Sequence, residues 1–87
     1  MAYEIGFKSA ALRQLRKLNT EVQVAVIRAV EDLANNPRPE GCKKLKGELS
    51  LYRIRVAGNY RVIYEIQDKQ LVIAIVKIGH RRDVYRP

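Results

Sequence analysis

The chain has 87 residues, 47% of them hydrophobic, with 17 Lys/Arg against 9 Asp/Glu and a net charge of +8. That is enough for one small domain over residues 1–87 with its own core, and too apolar for intrinsic disorder. One cysteine and one histidine rule out an internal disulfide and argue against a zinc site; no cofactor is expected. No stretch reads as a signal peptide or a membrane span, so a cytoplasmic protein without membrane contact is expected.

Ala2 to Phe7 alternates, with Tyr3, Ile5 and Phe7 on one side, and reads as a short strand. From Ser9 the period changes: Ala11, Leu12, Leu15 and Leu18 form a helical stripe, with Ser9 as the N-cap. Thr20-x-x-Gln23 has the form of a capping box opening a second helix, whose buried side is Val22, Val26, Ala29, Val30 and Leu33. Asn35-Asn36-Pro37 ends it. This αα-hairpin should cover one face of a sheet.

After a loop from Pro37 to Gly41, three strands are expected. In Tyr52–Val56, Tyr52, Ile54 and Val56 point one way and Arg53 and Arg55 the other. In Tyr60–Ile66, Tyr60, Val62, Tyr64 and Ile66 oppose Arg61, Ile63 and Glu65. Ala57-Gly58-Asn59 joins them as a turn. A three-residue loop pairs Val56 with Tyr60 and Arg55 with Arg61, whereas a two-residue loop would mix the faces. The first choice sets Arg53, Arg55 and Arg61 together on one exposed face. Leu71–Ile78, apolar on both faces, reads as the last strand and a central one, broken by Gly79. The expected fold class is α+β: strand, αα-hairpin, then three antiparallel strands in a small, mainly antiparallel sheet, in the order β-α-α-β-β-β.

The whole charge excess lies in two segments. Residues 43–61 hold six Lys/Arg against one Glu, residues 77–87 hold four against one Asp, and the remainder balances. A focused basic face points to a polyanion, nucleic acid foremost. Lys43, Lys44 and Lys46, beside the arginine face, suit phosphate contacts, and Arg82 and Arg86 extend the basic surface. The ordinary alternative for such charges is a solvated polar face.

No Ser-His-Asp set, histidine-flanked carboxylate pair, glycine-rich phosphate loop or metal cluster is visible, which argues against acyl transfer, NTP hydrolysis and metal-dependent nuclease chemistry. Metal-free RNA cleavage stays open. There the 2′-hydroxyl attacks its own phosphate, and the enzyme must steady the extra charge and move two protons. Guanidiniums grip phosphate oxygens in pairs but do not accept protons. His80 titrates near neutrality as a residue type, and Tyr85 offers a ring on which a base can stack.

LKG, LYRIRV, NYRVIYEI and GHRRDVYR, in this order, resemble the RelE branch of the RelE/ParE toxin superfamily. The similarity extends to the opening MAYEIGF strand and the helical hairpin ending in NNP. It implies a toxin of a toxin–antitoxin pair that enters the ribosomal A site, cuts mRNA without metal, and is held inactive by a wrapping antitoxin in a hetero-oligomer. An acidic antitoxin segment would suit the basic chain. Arg61 resembles the arginine that steadies the scissile phosphate. Arg81 resembles the arginine assisting charge stabilisation or leaving-group protonation, and Tyr85 the tyrosine that stacks on a displaced base. Arg53 and Arg55 stand where the best-studied branch has lysines. The proton acceptor must then be His80, Tyr85, or the RNA and ribosome, or else the chain is a weaker nuclease. The sequence stops two residues after Tyr85, so the C-terminal helix of some relatives is not expected. Two other functions remain open at this level: a gyrase-binding toxin like the ParE branch, and an RNA-binding module that coats phosphate without cutting.

Overall fold

A computed structural model describes residues 2–47 and 50–84. In it a single five-stranded sheet runs in the order β1-β5-β4-β3-β2. The elements are β1 (Glu4–Phe7), α1 (Ser9–Arg16), α2 (Thr20–Asn35), β2 (Lys43–Lys44), β3 (Leu51–Val56), β4 (Tyr60–Gln67), β5 (Val72–His80) and a single turn of helix, α3 (Arg81–Val84). The α+β class and the element order agree with the sequence patterns. The additions are the two-residue β2, which pairs with β3, and the α3 turn.

β1 lies parallel to β5, with Glu4 beside Val72 and Phe7 beside Ile75, so the sheet is mixed. The helical hairpin between β1 and the remaining strands provides the crossover that parallel pairing demands. Flanked by β1 on one side and β4 on the other, β5 needs apolar residues on both faces, which accounts for its composition. It also runs two residues further than the glycine suggested, through Gly79 and His80. Where β1 ends, the Gln14 side-chain oxygen accepts the Ile78 N–H at 2.8 Å, so α1 satisfies the strand edge that β1 leaves open.

The core lies between the hairpin and one sheet face. Ala11 and Leu15 of α1 and Val26, Val30 and Leu33 of α2 pack on Ile54, Val56, Val62, Tyr64, Ile66, Ile73, Ile75 and Ile78. Both helix starts differ from expectation. Ser9 is already helical, and Lys8 precedes α1 without a side-chain cap. At α2 the cap is Asn19, not Thr20: its side-chain oxygen accepts the Val22 N–H at 3.0 Å, while Gln23 Nε2 reaches back to the Leu18 carbonyl at 2.8 Å. Asn is as good a cap as Thr or better, and one residue of phase decides between them. Asn19→Ala is expected to lower stability by about 1 kcal/mol, read as the shift in urea-unfolding midpoint at constant m-value.

A polar clasp closes one end of the sheet. The Tyr3 hydroxyl donates to Asp68 at 2.7 Å, and Arg38 donates to the same carboxylate at 2.9 Å, to the Tyr52 hydroxyl at 3.2 Å, and lies over the Tyr52 ring. The Arg38 guanidinium, then the Tyr3 hydroxyl, hold the Asp68 carboxyl below its usual range. A depressed carboxyl contributes stability above its unfolded-state pKa and loses it as pH falls through the lower folded value. Asp68→Asn should therefore be less stable than the native chain at neutral pH, with the difference shrinking below about pH 4. Urea midpoints at the two pH values measure this, and the effect is small because the pair is solvent-screened.

Candidate functional site

The basic site lies at the opposite end of the sheet, on the face turned away from the helical hairpin. The β3–β4 register is the one a three-residue turn requires: Val56 opposite Tyr60, Arg55 opposite Arg61, Arg53 opposite Ile63. Beyond Arg61 comes Gly79, and beyond Ile63 comes Lys77. One row across the sheet is thus Arg55–Arg61–Gly79 and the next is Lys43–Arg53–Ile63–Lys77.

Burial departs from expectation. Arg55 is exposed, but Arg53 and Arg61 are each only 7% exposed, not the solvated pair their alternation suggested. Long side chains on a sheet gain by laying their methylenes along neighbours, here including the buried Ile63. Arg61 Nη1 donates to the Gly58 carbonyl at 2.8 Å and to the Tyr60 carbonyl at 3.0 Å. Those bonds offset the repulsion from Arg55 directly opposite, and they brace a turn in which Ala57 and Gly58 both take positive φ. Arg53 differs: its Nη1 is buried with no hydrogen-bond partner. A covered, unsatisfied guanidinium nitrogen costs about 1–3 kcal/mol, a cost that an anion can relieve.

The turn also positions the residues after β5. The Arg81 N–H donates to the Asn59 carbonyl at 2.7 Å, which sets α3 against the β3–β4 turn and brings Arg81 to the Arg61 end of the sheet. Arg81 itself is exposed. His80 pairs with Tyr60 across the strands, the two rings meeting edge to face at 5.6 Å. Its Nδ1 accepts the Arg82 N–H at 3.2 Å, so the neutral ring carries its proton on Nε2. Opposite Arg61, Gly79 leaves a bare floor, where even an added Cβ would meet nothing within 4 Å. Guanidiniums around an open floor suit a phosphodiester.

The other expected contacts are unevenly placed. Lys43 sits beside Arg53 on the site face, whereas Lys44 pairs with Tyr52 and so belongs to the opposite face. Lys46 lies exposed in the bend after β2, and Arg82 is exposed on α3. Tyr85 and Arg86 fall outside the described residues. Among the described residues no group of three His, Cys, Asp or Glu could hold a metal ion, and the one ion pair is Arg38–Asp68. None of the described helices is long and apolar enough to cross a membrane. Cys42 packs on the core edge beside the Tyr64 hydroxyl.

The sequence model of the family described as "ParE toxin of type II toxin-antitoxin system, parDE" matches residues 5–85. Toxin RelG of Mycobacterium tuberculosis is 36% identical over 87 residues, which span 99% of each chain. The mRNA interferase toxin RelE of Escherichia coli K12 is 30% identical over 82 residues, 93% of this chain and 85% of that one. Among solved structures, the archaeal RelE–RelB complex of Pyrococcus horikoshii contains a chain superposing with a TM-score of 0.83 at 31% identity, covering 95% of this chain and 99% of that one. The chain is a member of the RelE/ParE toxin superfamily of type II toxin–antitoxin systems, on its RelE side.

Proposed function

We propose that the protein is a ribosome-dependent endoribonuclease toxin that cuts mRNA in the A site in the cytoplasm, and that a cognate antitoxin restrains it by covering the basic face. The observation that carries this is the pair of nine-tenths-buried arginines on the open sheet face. Arg53 has an orphaned guanidinium nitrogen, and Arg61 stands before the bare Gly79 floor. A merely solvated charge has no reason to be buried without a partner. Arg61 would grip the scissile phosphate, Arg81 would add charge from the far side of the turn, and Arg53 and Arg55 would hold flanking phosphate. Tyr85 would stack on a base. Lys43, with Lys44, Lys46, Arg82 and Arg86, would meet ribosomal or messenger RNA backbone. The relatives named toxin RelG and mRNA interferase toxin RelE support the same assignment.

The test is cleavage of a defined mRNA in a cell-free translation system, mapped by primer extension, with and without ribosomes and in the presence of a chelator. Cuts that need ribosomes, survive chelation and disappear in Arg61→Ala and Arg81→Ala are expected. A folded native chain that halts growth without cutting would instead favour gyrase poisoning, the activity associated with the ParE branch, and supercoiling would then be assayed.

A further inference from the structure

Because β2 pairs only with Tyr52 and Arg53, the outer edge of β3 from Ile54 to Val56 has no strand beside it among the described residues. A cleft of about 590 Å³ opens there, between that edge, the second half of α2 and the loop before β2. Its size suits a small ligand. The cleft takes its carboxylates, Asp32 and Glu40, from α2 and the loop, and its cations, Lys43, Arg53 and Arg55, from the sheet. Neither carboxylate pairs with a cation across it, since the one ion pair among the described residues is Arg38–Asp68. Arg53 is nine-tenths buried with its Nη1 unpartnered. Opposite charges therefore line one cleft without closing on each other, and both are left for a third group.

The charges select that group. A bare phosphate would satisfy the arginine but meet two carboxylates, and so would an acidic peptide laid along the β3 edge. What fits is a ligand with acceptors on one edge and donors on the next. Among the RNA bases that is guanine. Its O6 and N7 match the fork of a guanidinium, while N1–H and the N2 amino group are donors for carboxylate oxygens. Adenine turns the N1 lone pair toward the carboxylates, and each pyrimidine offers them a single donor group. The cleft lies two strand spacings, about 10 Å, from the Gly79 floor and shares Arg53 and Arg55 with the arginine face.

We infer that this cleft reads a guanine base flanking the scissile phosphate, with Arg53 on O6 and N7 and the Asp32 and Glu40 carboxylates on N1–H and the N2 amino group. This rests on the nuclease function proposed above. It turns Arg53 to the base and leaves Arg55 and Lys43 to hold the phosphate of the same nucleotide.

Single-turnover cleavage on ribosomes tests the assignment, using A-site codons with guanine, hypoxanthine or adenine beside the cut. The chains are the native one, Asp32→Asn, Glu40→Gln and Glu31→Gln. The native chain should prefer guanine to adenine by about 10- to 100-fold, with hypoxanthine, which lacks the 2-amino group, in between. Asp32→Asn and Glu40→Gln, both at exposed positions that do not support the core, should each bring that preference to within about threefold. Glu31→Gln, on the same helix but outside the cleft, should keep it. A second measurement needs no cleavage: amide NMR of the full chain titrated with guanosine monophosphate, adenosine monophosphate or inorganic phosphate. Only the first should move the amides of Asp32, Glu40 and Cys42. Equal rates on guanine and adenine would overturn the inference, as would a preference untouched in both carboxylate variants. Inorganic phosphate or an acidic extended peptide that moves those amides as far as guanosine monophosphate does would also overturn it. A native chain that cuts no message at all would overturn the nuclease function itself, whereas cutting that ignores the base overturns the cleft alone.

Discussion

Arg61→Ala is expected to slow ribosome-dependent mRNA cleavage by about 10²–10³-fold, the usual cost of removing one preorganised donor from developing negative charge. The size follows from its position. Arg61 is almost covered, its guanidinium is anchored on the Gly58 and Tyr60 carbonyls, and the space before it is open at Gly79. A charge held in that way needs no rearrangement when the phosphate gains charge. The same anchoring gives Arg61 a structural role, because the turn it braces also accepts the Arg81 N–H through Asn59. Losing two hydrogen bonds at an exposed turn should lower stability by about 1–2 kcal/mol, which a thermal scan reads independently of cleavage. Arg61→Lys keeps the charge but loses the planar fork, and should recover part of the rate. Ribosome association should change far less than the rate in both variants, since many other basic groups remain. A rate within about threefold of native in a folded Arg61→Ala chain would remove Arg61 from the site.

Tyr64→Ala is expected to cost about 3–5 kcal/mol of stability, a large part of the 5–15 kcal/mol or so that holds a small domain together. Tyr64 is fully buried in the middle strand, stacked on Tyr52 with ring centres 5.9 Å apart. Its hydroxyl donates to the Pro37 carbonyl at 2.7 Å, tying the connection after α2 to the sheet, and burial pushes the phenol above its usual range. Tyr64→Phe keeps the ring and orphans only the carbonyl, so about 1–2 kcal/mol is expected. Urea unfolding of the three chains separates the packing loss from the hydrogen-bond loss. Tyr64 faces the helices, away from the arginine face. A folded Tyr64→Phe chain should therefore cut mRNA at close to the native rate.

The deep burial of Arg53 and Arg61 changes how the arginine substitutions in β3 should be understood. Where the resemblance places lysines, Arg53 and Arg55 supply permanent charge, and the lysines that the register adds to that face are Lys43 of β2 and Lys77 of β5.

Alternation over Tyr52–Val56 and Tyr60–Ile66, with a short turn between, was sufficient to set the β3–β4 register and to gather Arg53, Arg55 and Arg61 on one face. Those are local properties: a period of two and a loop length determine which side chains share a side. The helical stripes were legible for the same reason, because Val26, Val30 and Leu33 recur at helical spacing and bury together. The caps were misplaced by one residue, since Asn19 and Thr20 are both competent and only the backbone phase chooses.

What the chain alone could not disclose depends on partners distant in sequence. The parallel pairing of β1 with β5 joins residues nearly seventy positions apart, and strand direction leaves no mark on alternation. The bulge at Val76 is a feature of the β4–β5 pairing, and it puts Lys77 on the arginine face, where strict alternation would have put it with Ile73 and Ile75. The burial of Arg53 and Arg61 comes from neighbours on adjacent strands. The orientation of His80 comes from the α3 turn that its Nδ1 caps. Sequence periodicity therefore determined which residues face the site, and tertiary pairing decided which are buried and which are braced, because those properties belong to contacts between segments.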